Sequence, residues 1–569
     1  MKLMATYMSP YKIRIIFTMI LKLVAVIFEL LNPYFLEYMI DKAAPTGDIL
    51  LVCEYGVLMV VCTVSGYICN ITANRMATKT AMQSIRSIRA DLFSKTIYLS
   101  GNEFDEVSLP SLISRMTSDS YNVQNFMGMI QRMGARAPII LIGGILIAYN
   151  MDPILTFILM GMVPVLATII IFISKKGIPM FKNVQKKVDN VVKIMRENIS
   201  GIRVIKALSM TGYEKGRFSK ANDMLTEEDM HAGEIMALPN PVMNLFLNIG
   251  LTCIILVGAY RVNAGNMQTG VILAFLTYFN IVMMAVMGIN RIFISYSKAA
   301  ASADRIKEVI DLPVSMELKD VSVSLPEGEE SEYMVEFKDV SIEKMGVKNV
   351  SFKIPKGKTL GVIGATGCGK STILNLMMRF YDADEGQVLI DGVDVKDMNL
   401  QELRSKFGVV FQNDTIFNDT LFENISFGRD ISLEDVKRAA KDAQIENYIE
   451  SLDEKYDYIA SIKGMNLSGG QRQRLLVARA LAGKPDIIVL DDASSALDYK
   501  TDAALRKELL EGYDGIVKIV IAQRVSSVMT MDNILVMDEG IIVGSGNHDE
   551  LMKSCAIYRD IYRLQMGEV

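Results

Sequence analysis

Long apolar runs fill the N-terminal half of the chain, whereas apolar and polar residues are mixed over short distances after Ile310. A helix needs about 20 mainly apolar residues to span a bilayer. Six stretches meet this requirement, at residues 15–40, 49–72, 128–150, 153–175, 243–264 and 268–292. The pattern therefore predicts an α-helical transmembrane domain of six spans over residues 1–310.

The segments that connect the predicted spans alternate between short and long. Those after the second and fourth spans, residues 75–136 and 175–232, are long, rich in lysine and arginine, and poor in helix breakers. Basic connections stay on the cytoplasmic side of a membrane. We therefore expect a multi-pass protein of the cytoplasmic membrane whose helices extend well beyond the lipid bilayer, with both termini in the cytoplasm.

Composition narrows the classes of function. Of the 569 residues, 50% are hydrophobic and 22% are charged, and the net charge of −5 gives no indication of a nucleic-acid partner. Two histidines and six scattered cysteines do not form the pattern of a zinc site. Acidic residues are rare in the predicted spans, so no dedicated ion site is expected there. The 38 methionines are either packing filler or an adaptable wall around varied apolar ligands.

A second domain follows the membrane domain. Residues 311–334 are polar, acidic and marked by proline, which predicts a linker into a domain over residues 335–569. In that domain the apolar segments "TLGVIG" and "DIIVLDD" read as strands flanked by helical stretches. This alternation is typical of an α/β domain.

The first of these strands runs into "GATGCGKST", which matches G-x-x-x-x-G-K-[ST] and opens a helix. Backbone N–H groups of such a loop surround phosphates, and the helix N-terminus adds its dipole. Lys370 is expected to reach the β- and γ-phosphates of ATP, and the Ser371 hydroxyl to ligate Mg²⁺. Cys368 is either a small residue that fits the loop or a redox-sensitive thiol. The predicted cofactor-binding residues of the loop are Gly364, Ala365, Thr366, Gly367, Cys368, Gly369, Lys370, Ser371 and Thr372.

Two further motifs carry chemistry. The strand "IIVLDD" ends in Asp491, which is expected at the second magnesium position, and Asp492, where attacking water can be polarised. In "NLSGGQRQR", Ser468, Gly469, Gly470 and Gln471 stand at a helix start and expose N–H groups to a second phosphate-binding surface.

These motifs occur in the order found in an ATP-binding cassette domain: the phosphate loop, "VVFQND", "LSGGQ", Asp491 and "SALD". Because they follow six spans with long basic connections, essentially the whole chain resembles a bacterial ABC exporter half-transporter. The connectors "LISRMTSD" and "ENISGIRVIKALS" resemble the two intracellular loops of that family. The fold implied is a six-span α-helical transmembrane domain of the ABC exporter type fused to an α/β P-loop nucleotide-binding domain.

The resemblance also implies roles for single residues. Gln412 would sense Mg²⁺ and the membrane domain, and Asp498 would belong to the "SALD" motif through which the two ATP sites communicate. Family members dimerise head to tail, so that the signature Ser468–Gln471 of one chain closes over the phosphate loop of the other. Short coupling helices are expected near residues 108–114 and 210–217.

Four positions depart from the family pattern. Asp492 stands where the family has a glutamate, Gln523 replaces the switch histidine, and Lys344 falls at the aromatic that stacks on adenine. Asp492 alone is ambiguous, because a shorter acid still polarises water. Glutamine cannot titrate or carry a positive charge. Tyr333 or Met345 are alternatives for the adenine contact through a shifted loop. A fourth departure is Ile462, which replaces a glutamate that contacts the coupling helices in the family.

The weakened positions beside an intact signature resemble the degenerate-site subunit of a heterodimeric multidrug ABC exporter. We therefore predict an ATPase coupled to transport of amphipathic small molecules, drugs or lipids across the membrane, with a second half-transporter as partner. The catalytic candidates are Asp492, Gln523 and Gln412, and the metal candidates are Ser371, Gln412 and Asp491. Alternatives are an exporter of one specific peptide or lipid, an ATP-binding sensor subunit, and a homodimer in which both sites have drifted.

Overall fold

The computed structural model describes residues 1–313, 316, 319, 331–493 and 497–566. The chain forms two units, the first made of Met1–Tyr98 with Val107–Leu312 and the second of Leu99–Glu106 with Pro313–Val569. Most of the linker predicted at 311–334 lies outside the described residues.

Helices account for nearly all of the chain up to Ile310. They are α1 (Lys2–Met8), α2 (Lys12–Tyr38), α3 (Ile49–Ile97), α4 (Gly101–Val107), α5 (Leu109–Ser114), α6 (Ser120–Met133), α7 (Arg136–Met151), α8 (Pro153–Ser200), α9 (Ile202–Ala207), α10 (Thr211–Ala237), α11 (Pro239–Asn263) and α12 (Thr269–Ile310).

Six helical segments are long and apolar enough to cross a membrane, which confirms the predicted number of spans. They are Lys2–Thr46, Ile49–Ile97, Leu109–Met151, Pro153–Gly177, Thr211–Asn263 and Thr269–Ile310. The helix α3 has 49 residues, and at 1.5 Å per residue it is about 70 Å long, more than twice the hydrocarbon thickness. Helix α3 is therefore long enough to extend well beyond the bilayer, and its position in the membrane stays a prediction.

Aspartate side chains fix where two of the long helices begin. Asp48 caps α3 by accepting from the N–H groups of Leu50 and Leu51. Asp152 caps α8 in the same way, and its carboxylate also pairs with Arg261 at 2.9 Å. An N-cap acid satisfies the free N–H groups of the first turn, and it interacts favourably with the helix dipole.

The second unit is an α/β domain with two sheets. Its strands are β1 (Tyr333–Ile342), β2 (Val347–Pro355), β3 (Thr359–Gly364), β4 (Glu385–Ile390), β5 (Val393–Asp394), β6 (Phe407–Val410), β7 (Ile487–Asp491), β8 (Val517–Ala522), β9 (Asn533–Asp538) and β10 (Ile541–Gly546). Its helices besides α4 are α13 (Lys370–Met377), α14 (Leu400–Ser405), α15 (Leu421–Ser426), α16 (Leu433–Asp442), α17 (Glu446–Glu450), α18 (Gly469–Ala482), α19 (Tyr499–Glu511), α20 (His548–Ser554) and α21 (Ala556–Met566).

Parallel pairing in the larger sheet determines where the site forms. The strand order is β10-β9-β3-β8-β7-β6, and every neighbouring pair except β10–β9 is parallel. All six residues of β3 are buried, as expected for a parallel strand covered on both faces. Asp491 pairs in register with Ile521, and Ile363 with Ala522. The ends of β3, β6, β7 and β8 therefore open onto one edge, where ligands bind in such sheets.

A short helix, α5 (Leu109–Ser114), lies at the first expected position, 108–114. The part of this connection that packs within the second unit is the preceding segment, Leu99–Glu106. There the N–H of Gly101 donates to the carbonyl of Phe380 at 3.0 Å, and a Cβ on Gly101 would lie 2.4 Å from the ring of Tyr381. Around residue 210 the short helix is α9, and α10 starts at Thr211. The sequence did not show that glycine is needed for this close approach.

Candidate functional site

A cavity of about 200 Å³ lies at the carboxyl ends of the parallel strands. It brings together most of the residues that the motifs predict, from segments far apart in the chain. Its lining consists of Met345, Thr366, Gly367, Gly369, Lys370, Ser371, Thr372, Gln412, Asp491, Asp492, Ile521, Ala522 and Gln523.

The phosphate loop links β3 to the N-terminus of α13. Gly367 and Gly369 have φ angles of +85° and +97°, which L side chains rarely adopt. A Cβ on Gly364 would lie 2.2 Å from the carbonyl oxygen of Met537 in β9. Lys370 Nζ donates to the carbonyls of Gly364 and Ala365 at 3.0 and 2.7 Å. A buried ammonium and a helix N-terminus therefore lie over the same loop, which is an arrangement suited to phosphate.

Two oxygen ligands meet beside this loop. The Ser371 hydroxyl donates to Asp491 Oδ2 at 2.8 Å. Burial raises the pKa of the Asp491 carboxyl above its usual range, and the neighbouring charge of Asp492 adds to this, while Ser371 and Lys370 oppose it. A divalent cation would favour the ionised carboxylate, and hydroxyl and carboxylate oxygens are what Mg²⁺ prefers. These two residues fit a magnesium ion, and Gln412 lines the same cavity.

Asp492 is held by its backbone. Its N–H donates to the carbonyl of Ile521 in β8 at 2.9 Å, and its carbonyl accepts from Gln473 Nε2 on α18 at 3.3 Å. Its φ of +51° lies in the left-handed region, where aspartate is better tolerated than most residues. The position of the carboxylate is therefore determined by strand β8 and the signature helix together.

Gln523 follows β8 and lines the cavity, and the residue that holds its loop lies 42 positions later. The Gln565 side chain on α21 donates to the carbonyl of Gln523 at 2.7 Å and accepts from the N–H of Val525 at 2.8 Å. The sequence analysis missed Gln565, because a single glutamine on an amphipathic helix carries no motif. His548 Nδ1 lies 2.8 Å from the hydroxyl of Tyr558, so this histidine is engaged elsewhere.

The adenine contact stays a prediction, and the candidate residues Lys344, Met345 and Tyr333 have different surroundings. Lys344 is not among the residues lining the described cavity. Its Nζ lies 3.1 Å from Asn102 Oδ1 and 3.2 Å from Asp105 Oδ2 on α4. Met345, which the sequence analysis kept as an alternative, lines the cavity instead. Tyr333 starts β1 and lies under the Lys353 ammonium, 4.9 Å from its ring centre.

We expect Met345→Ala to weaken nucleotide binding about fivefold, because it removes apolar surface from the cavity wall. Lys344→Ala should leave nucleotide affinity unchanged, because its ammonium contacts α4. Titration of the full chain with a fluorescent ATP analogue would measure both, with the exposed Lys348→Ala as control. A larger loss for Lys344→Ala than for Met345→Ala would contradict this assignment.

The signature residues form a separate surface. Ser468 caps α18, accepting from the N–H of Gln471 at 3.3 Å, while Gln471 Oε1 accepts from the N–H of Ser468 at 2.8 Å. In the described part of the chain, none of Ser468–Gln471 lines the phosphate-loop cavity. Ile462, just before them, is 63% exposed. A ligand on this helix N-terminus would therefore be a different one from the ligand of the chain's own loop.

Asp498 has a local structural role in the described chain. It caps α19, and hydrogen bonds from the N–H and hydroxyl of Thr501, at 2.9 and 2.7 Å, lower the pKa of its carboxyl. The rest of the "SALD" motif is described only at Leu497, since residues 494–496 lie outside the described ranges. Its role between two sites stays a prediction.

Family models and individual relatives both match this chain to ABC transporters. Residues 15–286 match the family described as ABC transporter transmembrane region, and residues 347–495 match the family described as ABC transporter. The chain is 33% identical over 563 residues to the ABC transporter ATP-binding protein YfiB of Bacillus subtilis, covering 99% of this chain and 98% of YfiB.

Two further similarities concern a named activity and the fold. The chain is 31% identical over 493 residues to the ATP-dependent lipid A-core flippase of Vibrio vulnificus, covering 85% of this chain and 83% of the flippase. A solved structure of a bacterial Atm1-family ABC exporter with ATP bound superimposes with a TM-score of 0.81 at 22% identity. That match covers 97% of this chain and 98% of the other, and it shows the shared fold.

Proposed function

The chain belongs to the ABC transporter family, and we propose that it works as one subunit of a heterodimeric exporter. In this proposal its own phosphate loop holds ATP at a weakened site. Its signature completes the competent site of the partner. Hydrolysis there drives export of an amphipathic small molecule or lipid across the cytoplasmic membrane.

The observation that carries the proposal is the composition of one cavity. An intact phosphate loop and the Ser371–Asp491 pair face Asp492 and Gln523 across about 200 Å³. One methylene fewer withdraws the Asp492 carboxylate by about 1.5 Å relative to glutamate, and a misplacement of that size can slow a reaction by about 10²-fold. Gln523 can hydrogen-bond a phosphate but cannot carry charge. Such a site suits binding more than turnover.

The signature favours a composite arrangement. Its capping box is complete, and Ser468 is not among the residues that line the described phosphate-loop cavity. A homodimer would place two weakened sites in one molecule, whereas a partner with glutamate and histidine at these positions would provide one strong site. In this proposal Ser371, Gln412 and Asp491 bind Mg²⁺, and Asp498 links the two sites.

The substrate class comes from a relative. The Vibrio protein is named as a lipid A-core flippase, which supports an amphipathic or lipid substrate for this chain. We assign residues 1–310 to the membrane domain, 311–334 to the linker and 335–569 to the nucleotide domain. The basic connections support a cytoplasmic location of the nucleotide domain and both termini in this proposal. Export of one specific peptide or lipid, or a sensor role without sustained transport, would share the same ATP site.

The full-length chain alone is expected to bind ATP but to hydrolyse it about a hundredfold more slowly than its complex with the proposed partner half-transporter. Phosphate release from the chain alone, the partner alone and the co-purified pair would measure this. Lys370→Ala provides the zero-binding control. Robust turnover by the chain alone would contradict the heterodimer. If the pair hydrolyses ATP at full rate, but no amphiphile changes that rate or is transported into vesicles, the sensor role is favoured.

A further inference from the structure

The apolar helices of the first unit carry charged side chains that the ATP site does not use. Lys22 lies ten residues into the 27-residue helix α2, and it is 2% exposed. Its ammonium donates to the Oδ1 atoms of Asn70 and Asn74 on α3. A charged residue in a membrane segment is expensive, and such residues mark substrate paths. Two amide oxygens stabilise the ammonium without neutralising it.

An ion pair begins seven residues further along the same face of α2, at Glu29. Glu29 accepts from Arg136 Nη2 with both carboxylate oxygens, at 2.8 and 2.9 Å. The two side chains are 35% and 36% exposed, so the pair is not sealed in the protein. Arg136 is the first residue of α7. The pair therefore joins α2 to α7 while keeping one open side.

That open side consists of two adjoining cavities, of about 290 and 180 Å³, which share Glu29 and Arg136. The larger cavity is the more polar of the two, and its lining includes Lys22, Asn32 and Asn70. The smaller is mainly apolar, and its wall is formed by Met133, Ile140, Ile281 and Met284. The charged pair thus lies between a cavity with several polar side chains and a more apolar one.

One polar atom in the larger cavity has no partner. Asn32 Nδ2 donates to Thr63 Oγ1 at 2.9 Å, and the Thr63 hydroxyl is itself donated to the carbonyl of Met59 at 2.9 Å. The threonine oxygen can therefore only accept from Asn32, which fixes the orientation of the amide. Asn32 Oδ1 is then buried without a hydrogen bond among the described residues. A buried acceptor without a donor is destabilising, and a ligand with a hydroxyl group would supply one.

The charges have a definite sign. Lys22 and Arg136 contribute two positive charges to the lining of the two cavities, and Glu29 contributes one negative charge. Arg132 on α6 adds a further positive charge nearby, where its Nη1 lies 3.3 Å from Thr78 Oγ1. The net positive field favours an anionic group.

From these observations we infer that the two cavities bind an anionic, hydroxyl-bearing amphiphile. Its charged head group lies between Lys22 and Arg136, its hydroxyl donates to Asn32 Oδ1, and its apolar part lies along the methionine and isoleucine wall. This inference rests on the proposed export function only in naming the ligand as a substrate. The binding site itself can be tested without nucleotide or partner.

The chain contains no tryptophan, so a single introduced tryptophan can be observed by its fluorescence without background from other indoles. Met284→Trp places a single indole on the apolar wall of the full-length chain in dodecyl maltoside. The probe is a dibromostearoyl lysophosphatidate, whose bromines quench indole fluorescence. Dibromostearoyl glycerol has the same tail and a hydroxyl in place of the phosphate, so it carries no charge, and glycerol phosphate has the head group without a tail. We expect the anionic probe to quench at about tenfold lower concentration than the neutral one, and glycerol phosphate not to compete.

One variant removes a positive charge and another removes a negative charge. Their opposite effects on binding would distinguish a role in ligand binding from a purely structural role. Lys22→Gln should lower the affinity for the anionic probe about tenfold and leave the affinity for the neutral probe unchanged. Glu29→Gln should raise the affinity for the anionic probe, because it frees Arg136 from the ion pair with the Glu29 carboxylate. The exposed Lys186→Gln removes one charge from α8 and should change neither.

Several outcomes would overturn the inference. These are equal quenching by the charged and neutral probes, competition by glycerol phosphate alone, or a parallel loss of binding in Lys22→Gln and Glu29→Gln. Variants are compared only when their chromatographic profile and their binding of a fluorescent ATP analogue match the parent. If the chain binds the probe but transports nothing, the binding site is supported and the export function is refuted. If the chain transports substrate but binds charged and neutral probes equally, the export function is supported and the anionic site is refuted.

Discussion

Replacing Asp492 by glutamate and Gln523 by histidine in the same chain is expected to raise its ATP hydrolysis about a hundredfold. The longer carboxylate would reach the position of the attacking water. The histidine would add a group that can carry positive charge beside the phosphate. The purified full-length chain suffices for this experiment, because its own signature is intact and each subunit of a homodimer would complete the other.

The structure favours this gain because both backbones are already fixed. Asp492 is hydrogen-bonded to Ile521 and Gln473, and the loop of Gln523 is held by Gln565. New side chains would therefore start from the same Cα positions. Glutamate is less suited than aspartate to a φ of +51°, so we expect Asp492→Glu to lower the free energy of unfolding by about 1 kcal/mol.

Phosphate release by the parent, the two single variants and the double variant gives the comparison. The gain should disappear when Lys370→Ala is added, which excludes a contaminating ATPase. Gln565→Ala in the double variant should reduce the gain, because the loop that carries Gln523 loses its two hydrogen bonds with the Gln565 side chain. Unchanged hydrolysis in a folded double variant that binds ATP would place the defect outside these two side chains.

In the assembled pair, Ser468→Ala in this chain is expected to lower total ATPase activity by about 10²-fold, which is the typical effect of removing one preorganised donor at a transition state. In the proposed dimer this serine belongs to the partner's site, where hydrolysis occurs. Lys370→Ala, which disables only this chain's own site, should lower the activity much less.

Loss of a helix cap needs its own control, since Ser468 also caps α18. Ser432 caps α16 by the same hydrogen bond, from the N–H of Asp435 at 3.1 Å. Ser432→Ala should therefore cause a similar loss of stability, about 1 kcal/mol, without the loss of turnover. Comparable ATPase activity in Ser468→Ala and Ser432→Ala, or a larger effect of Lys370→Ala, would argue against the head-to-tail arrangement.

Local pattern was sufficient for the spans and the α/β class, and it named most of the residues that line the cavity at the phosphate loop. The buried strand "TLGVIG" is β3, because six consecutive apolar or small residues before a glycine loop have few other structures available. The phosphate loop and the acid pair meet because their strands, β3 and β7, both pair with β8. Parallel pairing follows from the alternation of strands and helices.

Contacts across long distances in sequence were not predictable. Gln565 reaches the switch loop only because α21 packs beside β8 and its following turn, and nothing near residue 565 indicates this. Lys344 was placed at the adenine by counting, whereas its side chain follows α4. Lys22 and Glu29 did carry a signal, since a spacing of seven places them on one helix face. The sequence analysis treated charges in the spans as isolated and did not look for that spacing.

The hydrogen bond from Gln473 to the carbonyl of Asp492 has a consequence for timing. In the proposed dimer, Asp492 would face the nucleotide of this chain's own site, while Gln473 lies near the start of α18, whose N-terminus would serve the partner's nucleotide. A shift of the strand end on binding ATP would therefore tilt the signature helix of the same chain. A subunit that hydrolyses slowly would keep that helix in one orientation through several turnovers of its partner. The slow site would then act as a latch that sets how long the dimer stays closed.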